Sequence, residues 1–256
     1  MPVEYELLQV PLAGGKINCV LHVKRPNATH NIVFFQGDLT NFALSRSRES
    51  QMAYNQPLPY EYSVEYLCWK LCSLVGNSFD ILYVRPTIML DDFSIYSNFL
   101  LCDSVGIPRW RDIRLNRDLS APGDVFLRIV YGSARNCAVG FSKGCVVIMG
   151  LLEEGNASAL SKIERIVLID PGTSLPGQTF PFKSEDYMRF PSEMPIVVYV
   201  SPYQFSDPER PWLRKEILDF VEKSGAQIHF VLMDKERSLK NHFNAIIESL
   251  KIERLG

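Results

Sequence analysis

Gly140-Phe141-Ser142-Lys143-Gly144 lies between the apolar runs Cys137-Ala138-Val139 and Cys145-Val146-Val147-Ile148-Met149-Gly150-Leu151-Leu152. A Gly-x-Ser-x-Gly pentapeptide between a short strand and a helix is the setting of a nucleophile elbow. The serine sits on a tight, strained turn, and the outer positions are nearly free of side chain because strand and helix pass close together. Such a turn presents the serine Oγ at a helix start, where backbone N–H groups and the helix dipole favour a developing oxyanion. Taken alone, the pentapeptide also fits a glycine-rich turn with a capping serine. Its position favours the elbow: it falls mid-chain, after several strand-like segments and before others that end in Asp and then His.

Working outward, apolar runs alternate with helical patterns. Tyr5 to Pro11 and Ile17 to Val23 read as an antiparallel hairpin around Gly14-Gly15. Strands are expected over Asn31–Gly37, Phe79–Arg85, Asn136–Phe141, Arg165–Ile169, Ile196–Val200 and Gln227–Met233. Helices are expected over Tyr62–Gly76, Asp124–Gly132, Ser142–Glu154, Trp212–Lys223 (ended by Gly225) and His242–Leu250. This alternation calls for an α/β fold: a mostly parallel central sheet with helices on both faces and an antiparallel N-terminal hairpin at its edge. Residues 1–256 read as one domain. Within it, 87–122 is too long and too irregular for a plain connection, so it reads as an inserted lid or binding element. A second irregular stretch runs from Pro171 to Pro195.

Composition narrows the function classes. Of 256 residues, 46% are hydrophobic and 22% charged, and the formal net charge is −2. That is an ordinary globular composition without a phosphate-reading basic face, so nucleic acid is not an expected partner. No apolar run reaches membrane-spanning length. The beginning, Met1-Pro2-Val3-Glu4-Tyr5-Glu6, carries acids where a targeting peptide carries bases, and the chain as it stands reads as cytoplasmic. Cys19, Cys68, Cys72, Cys102, Cys137 and Cys145 show neither zinc spacing nor disulfide density and read as reduced thiols. The sequons at Asn27 and Asn156 are then chance matches. No metal or other cofactor is called for, and a protein partner is left open.

A serine hydroxyl needs a base to take its proton, and the base needs a carboxylate to orient it. With the elbow at Ser142, one known chain order is Ser, acid, His. Of the four histidines, His22 and His30 precede the serine and His229 falls within a strand pattern, which leaves His242 as the base. The acid has two candidates. Asp207, in the loop after the Ile196–Val200 strand, is the first choice, with a helix cap as its plain structural reading. Asp170, ending the Arg165–Ile169 strand, is the alternative. The oxyanion donors would be the Lys143 N–H and an N–H of Gly37 or Asp38 in Gln36-Gly37-Asp38. A carboxylate at 38 is awkward there unless it points away or is paired. The Lys143 side chain reads as a solvent-facing lysine, or else as an attraction for anionic substrates. Arg85, Arg109, Trp110 and Arg111 either line the crevice or lie on a solvated loop.

Several blocks carry a family resemblance: Phe34-Phe35-Gln36-Gly37-Asp38, Gly140-Phe141-Ser142-Lys143-Gly144-Cys145-Val146-Val147, Pro202-Tyr203-Gln204 with Asp207-Pro208, Arg210, Trp212, Lys215-Glu216, and Asn241-His242-Phe243. In these the chain resembles a poorly characterised eukaryotic family of α/β-hydrolase-like, serine-lipase-related proteins whose vertebrate members include a mitochondrial one. The resemblance implies an α/β-hydrolase fold and a serine hydrolase activity, supplies no substrate, and gives the mitochondrial matrix as the alternative location. The first reading of the function is a serine hydrolase acting on a carboxylic ester or thioester, lipid-derived ones included. A hydrolase-like scaffold or binding protein without turnover is the competing reading, since fold alone does not fix function.

Overall fold

The computed structural model describes residues 5–40, 60–90, 92–115, 121–130, 134–182, 193–224 and 227–252. The strands are β1 (Glu6–Pro11), β2 (Ile17–Val23), β3 (His30–Phe35), β4 (Phe79–Val84), β5 (Ile88–Leu90), β6 (Phe93–Ile95), β7 (Arg135–Phe141), β8 (Ile163–Ile169), β9 (Pro195–Val200) and β10 (Gln227–Leu232). The helices are α1 (Val64–Val75), α2 (Trp110–Leu115), α3 (Pro122–Ile129), α4 (Cys145–Glu154), α5 (Ala157–Leu160), α6 (Pro202–Phe205), α7 (Trp212–Lys223) and α8 (Leu239–Ile252). Among the described residues, eight strands form one sheet in the order β1-β2-β4-β3-β7-β8-β9-β10, and β5 pairs with β6 separately. From β4 to β10 the sheet pairs are parallel; β1 and β2 are the antiparallel edge. This is the expected doubly covered sheet with its N-terminal hairpin.

The period of two in the strands divides the core into two layers. In β3, Val33 and Phe35 face the layer that contains Phe126 of α3, Ile148 of α4 and Phe220 of α7. Ile32 and Phe34 face the other, with Leu67 and Leu71 of α1 and Ile246 and Leu250 of α8. The helices differ accordingly. Helix α7 buries only Leu213, Ile217 and Phe220, one stripe at helical spacing. Helix α4 buries every residue from Cys145 to Leu152, which is why its sequence shows no polar face.

Boundaries move where local chemistry intervenes. Residues 142–144 form a single 3₁₀ turn ahead of α4 rather than its first α turn. Helix α8 begins at Leu239, three residues before the expected His242. Helix α3 begins at Pro122, since proline suits a first helical position. Gly225, residues 131–132 of the expected helix 124–132, and 183–192 within the second irregular stretch lie outside the described residues. So do 91 and 116–120 of the 87–122 stretch; its described part carries β5, β6 and α2.

Strand β7 reaches α4 by an approach that excludes side chains. A Cβ added at Gly140 would lie 2.8 Å from Cys145 Cα, and one at Gly144 would fall on the Phe35 carbonyl. Gly140→Ala should therefore destabilise the fold by about 1–3 kcal/mol, because the added methyl must push strand and helix apart. Urea unfolding checks this; an unchanged midpoint would contradict the close approach.

Candidate active site

Ser142 follows strand β7 directly, in the left-handed region at φ 52°. Non-glycine residues there are strained by a few kcal/mol at most and hold the conformation only when their surroundings enforce it. The glycine crossing supplies that enforcement. Asp170 follows β8 in the same way, at φ 48°. Because Phe141 pairs with Ile169 in register, Ser142 and Asp170 leave neighbouring parallel strands at the same level of the carboxyl edge.

His242, in the first turn of α8, closes over this edge. Its Nδ1 lies 2.7 Å from Asp170 Oδ2. A carboxylate oxygen can only accept from the ring, so Nδ1–H donates and Nε2 is the other ring nitrogen left for chemistry. The imidazole packs between two rings: Phe141 at 4.5 Å between centroids and Tyr203 of α6, stacked, at 4.7 Å. Asp170 is wholly buried (0% exposed). Besides His242, it accepts from the Ser201 N–H at 2.5 Å and from the Ser201 hydroxyl. A buried carboxylate without such donors would be costly; here three surround it.

Asp207, the first-choice acid, is engaged elsewhere. Its Oδ2 accepts from Arg210 Nε at 2.7 Å, and its Oδ1 from Arg237 Nη2 at 3.1 Å and the Glu209 N–H at 3.0 Å. The histidine's carboxylate partner is Asp170, the alternative. The reason is topological: Asp170 follows β8 directly, while helix α6 carries the chain on to Asp207. Arg237 also sits 5.4 Å over the Tyr203 ring, which in turn stacks on the histidine.

On the opposite side of the serine runs Gly37. A Cβ there would lie 2.6 Å from Ser142 Cβ and 3.0 Å from the Phe141 carbonyl, so only glycine lets the backbone pass. Strand β6 fixes this turn. Ser94 Oγ donates to the Gly37 carbonyl at 2.7 Å and Tyr96 OH to the Gln36 carbonyl at 2.9 Å. In trans peptides N–H points opposite to C=O, so the Gly37 and Asp38 N–H groups face away from those donors. Among the described residues neither N–H donates to a backbone acceptor.

Lys143 is not solvent-facing. Its side chain is 5% exposed, with Nζ 2.8 Å from Asp38 Oδ2 and donating to the Val105 carbonyl at 2.7 Å. Asp38 is thus paired, and its Oδ1 accepts the Ser94 N–H at 2.7 Å. Burial pushes the Asp38 carboxyl above its ordinary range, against the opposing Lys143 charge and these hydrogen bonds. Trp110 belongs to the core, its indole donating to the Gln178 carbonyl at 2.9 Å, and Arg109, just before α2, pairs with Asp112 of that helix. Arg85 donates its backbone N–H to the Cys19 carbonyl, and His229 is exposed on strand β10. Among the described residues no group of three or more His, Cys, Asp or Glu is placed to hold a metal ion, and no helix is long and apolar enough to cross a membrane.

A family model described as C2orf69 matches residues 9–122 and 128–226. The chain belongs to the C2orf69 family. It is 36% identical over 121 residues to the human mitochondrial protein C2orf69, an alignment covering 41% of this chain and 31% of that protein. The mouse mitochondrial protein C2orf69 homolog is 23% identical over 292 residues, covering 85% and 77%. The zebrafish homolog is 26% identical over 264 residues, covering 85% and 72%. This C2orf69 family member therefore spans about a third of the human relative in their alignment, and about three quarters of the other two. In structure it is similar to a thermostable esterase from Pseudomonas putida, with TM-score 0.55 at 11% identity over 99% of this chain and 82% of that one. A dienelactone hydrolase-like promiscuous phosphotriesterase from metagenomic libraries gives TM-score 0.52 at 10% identity, covering 97% and 96%. At such identities the likeness establishes the fold: this chain has an α/β-hydrolase fold.

Sequence reasoning did not reach Ser201, Tyr203 or Ser94 as parts of this site. Ser201 had a usable signal, since it follows β9 as Asp170 follows β8, and parallel neighbours end side by side. Tyr203 and Ser94 had none. Burial works to raise the Asp207 carboxyl, but the Glu209 N–H, Arg210 and Arg237 outweigh it and hold it below the ordinary range. A depressed folded-state pKa contributes stability above the unfolded pKa and loses it as pH falls through the folded one. Asp207→Asn should therefore cost about 1–3 kcal/mol near neutral pH, and the difference should close below roughly pH 4. Chemical unfolding of both proteins across pH measures it; a difference that persists in acid would contradict the ion-pair account.

Proposed function

We propose that this protein is a serine hydrolase of carboxylic esters or thioesters, with Ser142 as nucleophile, His242 as base and Asp170 as the acid that orients it. The observation that carries this reading is a histidine whose Nδ1 is held by a buried carboxylate and whose ring packs on Phe141, the residue directly before the strained Ser142. In the proposed reaction Ser142 Oγ attacks the acyl carbon as its proton passes to His242 Nε2. The N–H groups of Lys143 and of Gly37 or Asp38 receive the oxyanion. Collapse expels the alcohol or thiol, which takes the proton from His242, and water then releases the acid by the same route. These steps use side chains and backbone alone. The site's rim supports a lipid-derived acyl group: Phe93 beside Lys143, and Ile88 and Leu90 on the paired strand, are 40%, 49% and 46% exposed.

Fluorophosphonate labelling with mass-spectrometric mapping tests the assignment. Wild type should be modified at Ser142, and Ser142→Ala and His242→Ala should not be labelled. Asp170→Asn should label about 10³-fold more slowly or worse, by analogy with the loss of a triad carboxylate. Asp207→Asn should stay within about tenfold of wild type, since that carboxylate touches neither reacting group. Unlabelled, well-folded wild type would overturn the hydrolase reading in favour of a scaffold that binds without turnover.

We also assign its work to the mitochondrion, following the names of the human, mouse and zebrafish relatives. The native protein should fractionate with mitochondrial markers and resist added protease until the membranes are opened; recovery in the cytosolic fraction would contradict this.

A further inference from the structure

Lys143 follows the proposed nucleophile directly, yet its ammonium is neither in solvent nor free for a substrate. It meets three groups: the Asp38 carboxylate at 2.8 Å, the Val105 carbonyl at 2.7 Å and the face of Phe93, 4.8 Å from the ring centre. Asp38 in turn belongs to the turn whose N–H groups pass Ser142. A negative side chain on that turn opposes negative charge building on a substrate oxygen a few ångströms away. Left uncompensated, that carboxylate would repel the developing oxyanion and slow the step.

We propose that Lys143 is a positioning and charge-compensating residue. Its ammonium cancels the Asp38 carboxylate beside the oxyanion site, and the same contact holds the 103–107 segment against the elbow. The inference rests on the hydrolase reading and adds a specificity consequence. Because Lys143 is already occupied, its ammonium is not available to an anionic substrate at the elbow, and this favours neutral acyl groups over anionic ones near the carbonyl. The geometry carries the assignment. The lysine is buried, its nearest charge is Asp38, and the other Asp38 oxygen is already held by the Ser94 N–H, so the carboxylate cannot swing away without losing two donors. Val105 and Phe93 both come from the 87–122 stretch, so one side chain joins that stretch, the oxyanion turn and the nucleophile helix. The raised carboxyl range at Asp38 agrees with a charge that is costly where it stands.

The test compares fluorophosphonate labelling rates of the full chain for wild type, Lys143→Gln and Lys143→Gln/Asp38→Asn, with melting temperatures taken alongside. Glutamine keeps a donor for Val105 but not the charge. Lys143→Gln should label about tenfold or more slowly, and removing the Asp38 charge should recover most of that rate, because the repulsion goes with it. A merely structural lysine would not be rescued by deleting its partner as well. The proposal is overturned if Lys143→Gln labels like wild type, or if the double variant is as slow as the single one. If Lys143→Gln does not fold, the folded double variant still decides: a rate near wild type supports the proposal, and a rate slowed tenfold or more overturns it. A wild type that never labels would instead bring down the hydrolase reading, a separate result.

Discussion

Ser142 is left-handed because nothing larger than hydrogen fits at 140 or 144. Strand β7 and helix α4 converge so closely that an added Cβ would meet Cys145 Cα on one side and the Phe35 carbonyl on the other. The connecting turn then has few conformations, and all of them project residue 142 from the sheet edge. A third glycine, Gly37, lets the neighbouring strand exit pass the serine. The strain at Ser142 is of order 1–3 kcal/mol, small against the burial of α4 and the eight-stranded sheet that fix its two ends.

The rest of the site follows from which strands are neighbours. With β8 beside β7, the residue after β8 arrives level with the serine, and that residue is Asp170. With β9 beside β8, Ser201 arrives within reach of Asp170 and donates to both its oxygens. The carboxylate can then be fully buried and still hold His242. Helix α8 brings the histidine in on the opposite layer, and Tyr203 and Phe141 clamp its ring. Asp207, Arg210 and Arg237 form a separate ionic knot behind Tyr203. It braces the wall of the site and does not touch the imidazole.

Strand and helix alternation, the two-layer core and the elbow were legible because each leaves a local mark: a period of two, a stripe at helical spacing, a glycine on either side of a serine. The α7 bounds came out to the residue, since Leu213, Ile217 and Phe220 leave no other register. The choice between Asp170 and Asp207 was not legible, because it depends on which strand lies beside the elbow strand and on where Arg237, thirty residues from Asp207 in sequence, returns. The Lys143 environment was hidden for the same reason. A lysine at a helix start reads as solvent-facing until the 93–107 segment is placed over it. The short strands β5 and β6 have too few residues to show a period, yet they supply Ser94, which holds the Gly37–Asp38 turn.

The hydrogen bond between His242 Nδ1 and Asp170 is the centre of this account, and proton NMR observes it most directly. A downfield imidazole N–H resonance assigned to His242 should be present in wild type, persist in Asp207→Asn and vanish in folded Asp170→Asn. The same resonance surviving in Asp170→Asn, or lost in Asp207→Asn alone, would contradict it.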